Sequence, residues 1–395
     1  MNRREFLSRA AVLSAASGPL LRAAAPKRAA ASVLLITVED LGAWMLGVYG
    51  NKSIQTPQLD TQARTGTRLI NACTAAPAPD LGRESLLHGV APAQLGGQHP
   101  SMADIFRSHG YVAGSAASPA TSLDQCTHAT VDFLNRQAPG RPFFFTVNYA
   151  PLRADSVPDA YTQAYASSDF SDLGWQPASG GAASGREKLA NVVNSLRFAA
   201  GAITYFDAQI PAIRNAIVQR NLYESTIVVI TGSNGSLLGR HGLWGDGRAT
   251  NPPNMYEEVV RVPFLCSWPG QTPADSYRVE EVSLYDVLPT LCDMAAGVPP
   301  PGGALPGRNF AKVLLNQPFP KNEPWRNLVF AELDGVAMGR DNRYKLVLHP
   351  DLSGELYDLS EDAREMTNRF DDGSYINVKN RLSSGINLWR QTFRR

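Results

Sequence analysis

The sequence predicts an α/β fold built on a mostly parallel sheet, and three observations carry that prediction. Val33–Val38 (VLLITV), Phe143–Asn148 (FFFTVN) and Thr226–Thr231 (TIVVIT) are continuous apolar runs rich in β-branched and aromatic residues. That is the pattern of strands covered on both faces. Helical patterns alternate with these runs instead of following them as a block. The composition, 44% hydrophobic and 18% charged over 395 residues, suits a folded body with a large core and argues against wholesale disorder.

The elements follow in order. After Val33–Val38 come helical patterns over Thr56–Thr65 and Ser101–Ser108, then a short strand at Tyr111–Ala113 and the strand Phe143–Asn148. Ala178–Gly185 (ASGGAASG) has the composition of a flexible loop. A long helical pattern runs from about Arg186 to Arg220, and Pro211 must kink or divide it. Strands at Thr226–Thr231 and Val262–Ser267 follow, then a helix over Val282–Ala296. Pro299–Pro301 with Gly302 and Gly303 mark a linker. Beyond it, short runs at Leu328–Leu333, Val336–Arg340, Tyr344–His349 and Glu355–Leu359 predict a small antiparallel sheet, closed by a helix over Tyr375–Thr392. The expected organisation is a leader over 1–31, an α/β domain over 33–298, a linker region over 299–326 and a C-terminal subdomain over 327–395.

The net charge of +1 conceals an asymmetry. Arg3, Arg4, Arg9, Arg22, Lys27 and Arg28 against Glu5 give the first 28 residues +5, so the remainder carries −4. A body of that sign does not suit a nucleic-acid binder. Asn2-Arg3-Arg4-Glu5-Phe6-Leu7, followed by a weakly apolar run from Ala10 to Leu21, resembles a twin-arginine export signal. That run is too short, and too broken by Gly18 and Pro19, to span a bilayer. Export to the periplasm or the cell exterior is the expectation, with no membrane span. Cys73, Cys126, Cys266 and Cys292 lack metal-type spacing, and Cys266 and Cys292 sit in apolar runs as buried thiols would.

In open α/β sheets, functional groups gather beyond the carboxyl ends of the strands. Glu39 and Asp40 directly follow the first strand, and Ser233-Asn234 follows the Thr226–Thr231 strand. Together they are an oxygen-rich set suited to Ca²⁺ or Mg²⁺. Equally, acidic residues at strand ends form turns and cap helices.

Longer stretches are more specific. VLLITVEDLGAWMLGVYGNKSIQTPQLDTQARTGTRLINACTAAP, ESTIVVITGSNGSLLGRHGLWGDG, NMYEEVVRVPFLCSWPG, VSLYDVLPTLCDMAAG and RYKLVLHPDLSGELYDL resemble segments of the sulfatase family, within the alkaline-phosphatase-like superfamily. The resemblance covers nearly everything from Val33 onward. It implies a large, mostly parallel sheet flanked by helices, with a small C-terminal antiparallel-sheet subdomain. It also implies metal-dependent sulfuric ester hydrolysis by a formylglycine made from Cys or Ser in a C-x-P-x-R motif. One divalent cation, Ca²⁺ or alternatively Mg²⁺ or Mn²⁺, would be held by Glu39, Asp40 and Asn234, with Asp80 as a further candidate oxygen. Arg83 and His241 are the catalytic residues the resemblance retains, and a sulfated or phosphorylated ester or carbohydrate is the ligand class it implies.

The same resemblance exposes departures. Arg83 matches the motif arginine, so Pro79 occupies the nucleophile position in P-D-L-G-R, and proline cannot become formylglycine. The family's Gly-Lys-Trp-His segment falls on Ala117-Ser118-Pro119-Ala120, and the His of its Ala-Pro-His segment falls on Leu152. Ser233 replaces a carboxylate, and Asp246 stands where a substrate-binding Lys is expected. Nucleophile, anion-binding cations and proton donors are missing together, and each like-charge contact at ~4 Å costs on the order of 4 kcal/mol at an effective dielectric near 20. The expectation is a pseudo-sulfatase without formylglycine, with Asp246 and Ser118 in the substrate pocket. The alternative is a divalent-metal-dependent hydrolase of sulfate or phosphate esters, using a replaced nucleophile or metal-activated water. A third expectation is a partner or carbohydrate-binding role. Arg83 either binds an anion or ties its loop to a nearby carboxylate. His241 and Asp246 each have an ordinary loop role as the competing expectation.

Overall fold

Strand β1 (Ser32–Val38) is buried at every position, so its side chains must feed a core on each side of the sheet. The computed structural model describes residues 30–118, 122–151, 156–295, 297–320, 322–351 and 353–393. The export-signal segment, Pro119, Ala120 and Leu152 lie outside them. The remaining strands are β2 (Thr67–Leu69), β3 (Ala72–Cys73), β4 (Val112–Ala117), β5 (Phe143–Tyr149), β6 (Thr226–Gly232), β7 (Phe264–Ser267), β8 (Ser276–Arg278), β9 (Val282–Ser283), β10 (Val329–Leu333), β11 (Val336–Arg340), β12 (Tyr344–Leu348) and β13 (Gly354–Asp358). Helices of seven residues or more are α1 (Pro57–Arg64), α2 (Pro79–His88), α3 (Met102–Ser108), α4 (Asp124–Asn135), α5 (Val192–Asp207), α6 (Ile210–Gln219), α7 (Val287–Met294) and α8 (Ile376–Phe393).

The large sheet has the order β4-β5-β1-β6-β7-β2-β8. β4, β5, β1 and β6 run parallel, with Val33 opposite Phe144 and Val38 opposite Gly232, while β7 is antiparallel to both β6 and β2. Period-2 alternation divides the core. Leu34, Ile36, Phe143 and Phe145 face α1, α4, α5 and α6, whereas Val33, Leu35 and Phe144 face α3, α7 and Phe310. The long helical pattern is divided as Pro211 requires: α5 ends at Asp207, and Pro211 sits in the first turn of α6.

The expected helix over Val282–Ala296 is shorter than its pattern. Val282 and Ser283 pair with Ala72 and Cys73 as β9, and a Ser283–Asp286 capping box delays the helix start to Val287. The expected strand at Tyr111–Ala113 extends to Ala117, because small residues there stay in register with Phe143–Asn148. α2 and α4 lack a long apolar periodicity and are found only in the structure.

The C-terminal sheet is antiparallel, in the order β10-β11-β12-β13. One face packs under Leu382 and Ile386 of α8. The other meets Leu237, Met255 and Val259 of the large unit. Charged groups buried between the two make this seam specific. Arg340 reaches Glu257 Oε1 at 3.0 Å and Glu281 Oε2 at 2.5 Å, and Lys345 Nζ donates to Met255 O at 2.7 Å while pairing with Glu257 and Glu365. Burial pushes the Glu281 carboxyl up to about 7 although Arg340 opposes it.

Removing one partner of a buried pair strands the other charge. Arg340→Leu is expected to lower the unfolding free energy by about 3–5 kcal/mol in urea titrations at neutral pH. Glu281 binds its proton more tightly when folded (about 7) than at its ordinary 4.5. Its stabilising contribution is therefore present below about pH 4.5 and is lost as pH rises to about 7. Glu281→Gln should flatten that part of the stability–pH curve, read by thermal melts across the range.

Candidate functional site

The site lies beyond the carboxyl ends of β1 and β6. Parallel pairing of these two strands sets Val38 against Gly232, so the residues that follow, Glu39-Asp40 and Ser233-Asn234, emerge side by side. Asp40 has φ 58°, the left-handed region that Asp tolerates better than most residues. A reciprocal pair of hydrogen bonds holds it there. Asp40 N–H donates to Asn234 Oδ1 at 3.1 Å, and Asn234 Nδ2 donates to Asp40 Oδ1 at 2.7 Å. Burial drives the Asp40 carboxyl up to about 7; the Asn234 donor opposes this, and the Asp246 and Glu39 charges add to it.

Glu39 is braced from two sides. Arg83 Nη1 and Asn148 Nδ2 both donate to its Oε1, at 2.8 and 2.9 Å. Arg83 therefore ties its helix to a nearby carboxylate, the competing expectation from the sequence. It stands on α2, whose first residue is Pro79, a position where proline's fixed φ and missing N–H cost nothing. Gly82 lets this helix approach the β6 loop closely: a Cβ there would meet Ser233 O and Thr74 Oγ1. Thr74 is fully buried and donates to Ser233 O at 2.6 Å, so its hydroxyl is a brace.

The other expected residues make their hydrogen bonds elsewhere. Ser118 Oγ accepts from Ala150 N–H at 2.9 Å and fastens the ends of β4 and β5. Asp246 caps a short turn, accepting from Arg248 N–H at 2.8 Å. Asp80 is exposed and pairs with Arg248 Nη1 at 3.1 Å. Burial works against its charge, but the Arg248 hydrogen bond and the Leu81 N–H outweigh it and hold the carboxyl low. His241 stacks on Tyr256 with ring centroids 3.7 Å apart and places Nε2 3.3 Å from Glu258 Oε2. Arg240 bonds the same carboxylate and lies over Trp44. Glu39, Asp40, Asn234 and Arg83 thus come together, with Asp246 near enough for its charge to act on Asp40, whereas the contacts of His241, Asp80 and Ser118 are with other neighbours.

Sequence reasoning missed Asn148 and Arg248. Asn148 was detectable in principle, because it ends the strand that pairs with β1 and sits opposite Thr37. Arg248 carries no local signal. Also missed was a cavity of about 490 Å³ between Glu39, Asp40 and the α5 face bearing Phe198 and Phe206.

The donors fit a divalent cation poorly. Both amide hydrogens of Asn234 are spent on Asp40 and Gly235 O, and its Oδ1 accepts from Asp40 N–H and Ser233 Oγ. Glu39 Oε1 is occupied by two donors. Among the described residues, no group of three or more His, Cys, Asp and Glu is arranged to hold a metal. A Ca²⁺ centre needs six to eight oxygens, and two carboxylates with one oxygen each engaged, beside an amide oxygen already shared, do not supply that set.

A sheet of this order, with carboxylates, an amide and an arginine gathered past its central strand ends, has the alkaline-phosphatase-like architecture. The chain belongs to the sulfatase family: the model described as Sulfatase matches residues 31–121 and 117–298. A second, described as N-sulphoglucosamine sulphohydrolase, C-terminal, matches 239–392. Arylsulfatase of Clostridium perfringens is 22% identical, covering 87% of this chain and 91% of that protein. Human arylsulfatase A is 27% identical, covering 80% and 74%. A structure solved in complex with its substrate D-glucosamine-2-N,6-O-disulfate superposes with a TM-score of 0.77 at 17% identity, over 92% of this chain and 98% of that one. The phosphonate monoester hydrolase of Agrobacterium radiobacter gives a TM-score of 0.76 at 18% identity, over 92% and 96%. Among the described residues, no helix is long and apolar enough to cross a membrane.

Because Asn234 bonds both the N–H and Oδ1 of Asp40, its loss leaves buried polar groups unmatched. Asn234→Ala is expected to lower stability by about 2–3 kcal/mol, while Arg83→Leu, at a half-buried pair whose carboxylate keeps the Asn148 donor, costs about 1 kcal/mol. Urea denaturation of the two variants tests this order.

Proposed function

We propose that this chain is an exported sulfatase-family protein that has lost formylglycine-dependent ester hydrolysis, a pseudo-sulfatase whose cleft binds without cleaving. The observation that carries the reading is at the head of α2. Pro79 fills the nucleophile position and brings neither oxygen nor sulfur to it. The surroundings support it. Arg83, the cation the motif retains, is committed to Glu39 at 2.8 Å. An anionic ester entering beside Glu39 and Asp40 meets carboxylates, with the two expected lysines replaced by Ser118 and Asp246. The engaged oxygens of Glu39, Asp40 and Asn234 do not favour a bound divalent cation. Glu39, Asp40, Asn148 and Asn234 then act as a preformed hydrogen-bonding floor. The basic leader supports export, with the protein acting in the periplasm or outside the cell.

The purified protein is expected to release nothing from an aryl sulfate or an aryl phosphate above an Asp40→Ala control, with Ca²⁺, Mg²⁺ or Mn²⁺ present. Calorimetric titration with the same ions should give no saturable heat. Metal-dependent turnover that disappears in the control would instead make the cleft a working hydrolase.

A further inference from the structure

The cavity beside Glu39 and Asp40, about 490 Å³, falls within the size range of small-molecule sites. Most of its wall is apolar: Leu123, Tyr149, Phe198, Phe206, Leu238 and Trp244. The hydroxyls in that wall are already used inside the protein. Tyr149 bonds Thr127 at 2.8 Å, Ser195 donates to Lys188 O at 2.9 Å, and Ser236 donates to Gly245 O at 3.2 Å. A sugar entering here would bury hydroxyls against Leu, Phe and Trp, and each buried hydroxyl without a partner is costly. An anionic head group gains little here: Arg83 is already spent on Glu39, and among the described lining residues Lys188 is the ammonium set beside the Glu39 and Asp40 carboxyls. Beside the Asn194 amide and the Lys188 ammonium, the polar groups left for a ligand are the Glu39 and Asp40 carboxyls at one end of an apolar chamber.

We propose that this cavity binds a neutral, largely apolar molecule of about two or three rings, whose single hydroxyl or amine donor is accepted by Asp40 or Glu39. The inference rests on the reading that the cleft binds without cleaving, and it assigns a ligand class to that cleft. Shape and desolvation by α5 supply affinity, and the carboxylates select against anions.

A matched pair of fluorescent probes tests it. N-phenylnaphthylamine is neutral, with one N–H; anilinonaphthalene sulfonate has the same rings plus a fixed negative charge. The purified protein should bind the neutral probe saturably, with a Kd on the order of micromolar, and the sulfonate about tenfold or more weakly. Glucosamine sulfate should not displace the neutral probe. Ala199→Phe and Ala202→Phe each place a ring in the α5 wall, and whichever keeps the parent melting temperature should weaken binding about tenfold. No saturable binding, equal affinity for the sulfonate, displacement by the sulfated sugar, or unchanged binding in a folded Phe variant would each overturn the assignment. Aryl sulfate turnover is read separately: turnover with neutral-probe binding removes the non-cleaving reading alone, whereas no turnover and no binding removes the ligand assignment alone.

Discussion

Burial of β1 on both faces is the constraint from which the site follows. A strand covered on two sides exposes its chain only at its ends, and parallel neighbours β5 and β6 terminate at the same level. Glu39, Asp40, Asn148 and Ser233-Asn234 are therefore delivered to one patch by backbone pairing, before any side chain chooses a partner. The other side of that patch is α2, which approaches only because Gly82 has no Cβ to strike Ser233 O and Thr74 Oγ1.

Within the patch, protein groups satisfy one another. Arg83 and Asn148 share one oxygen of Glu39, and Asn234 uses both hydrogens and both lone pairs within the loop pair. Carboxylates collected at a strand end would repel each other without a compensating positive group. Here a guanidinium supplies it for Glu39, and burial lets Asp40 hold its proton more tightly. The arrangement is a stable polar floor. Among the described residues, no three His, Cys, Asp or Glu side chains are gathered as a cation site requires. Above that floor the α5 face supplies aromatic surface, so the cleft combines few polar groups with an apolar chamber.

Much of the framework was legible because its signals are local. VLLITV, FFFTVN and TIVVIT announce doubly buried strands, Pro211 announces a break, and the short runs after Leu328 announce hairpins. The boundaries that shifted did so for non-local reasons. Val282-Ser283 became a strand because Ala72-Cys73 lay beside it, and Ala113–Ala117 remained extended because β5 held them in register. Buried charges across the C-terminal seam were equally hidden, since Arg340 meets Glu257 only when β11 packs on the large unit.

By itself, the sequence determined the α/β architecture, the acidic sign of the body and that Pro79 carries no nucleophilic atom, since residue identity alone settles what chemistry a side chain contains. Tertiary structure decided the use of each remaining group. Arg83 and Glu39 are 44 positions apart, and Asp40 and Asn234 are 194 apart. His241 turned to Glu258, Asp246 became a turn cap, and the cavity formed where α5 crosses the strand ends. A hydrogen bond depends on two groups being brought within about 3 Å, and for residues so far apart only the folded chain sets that distance.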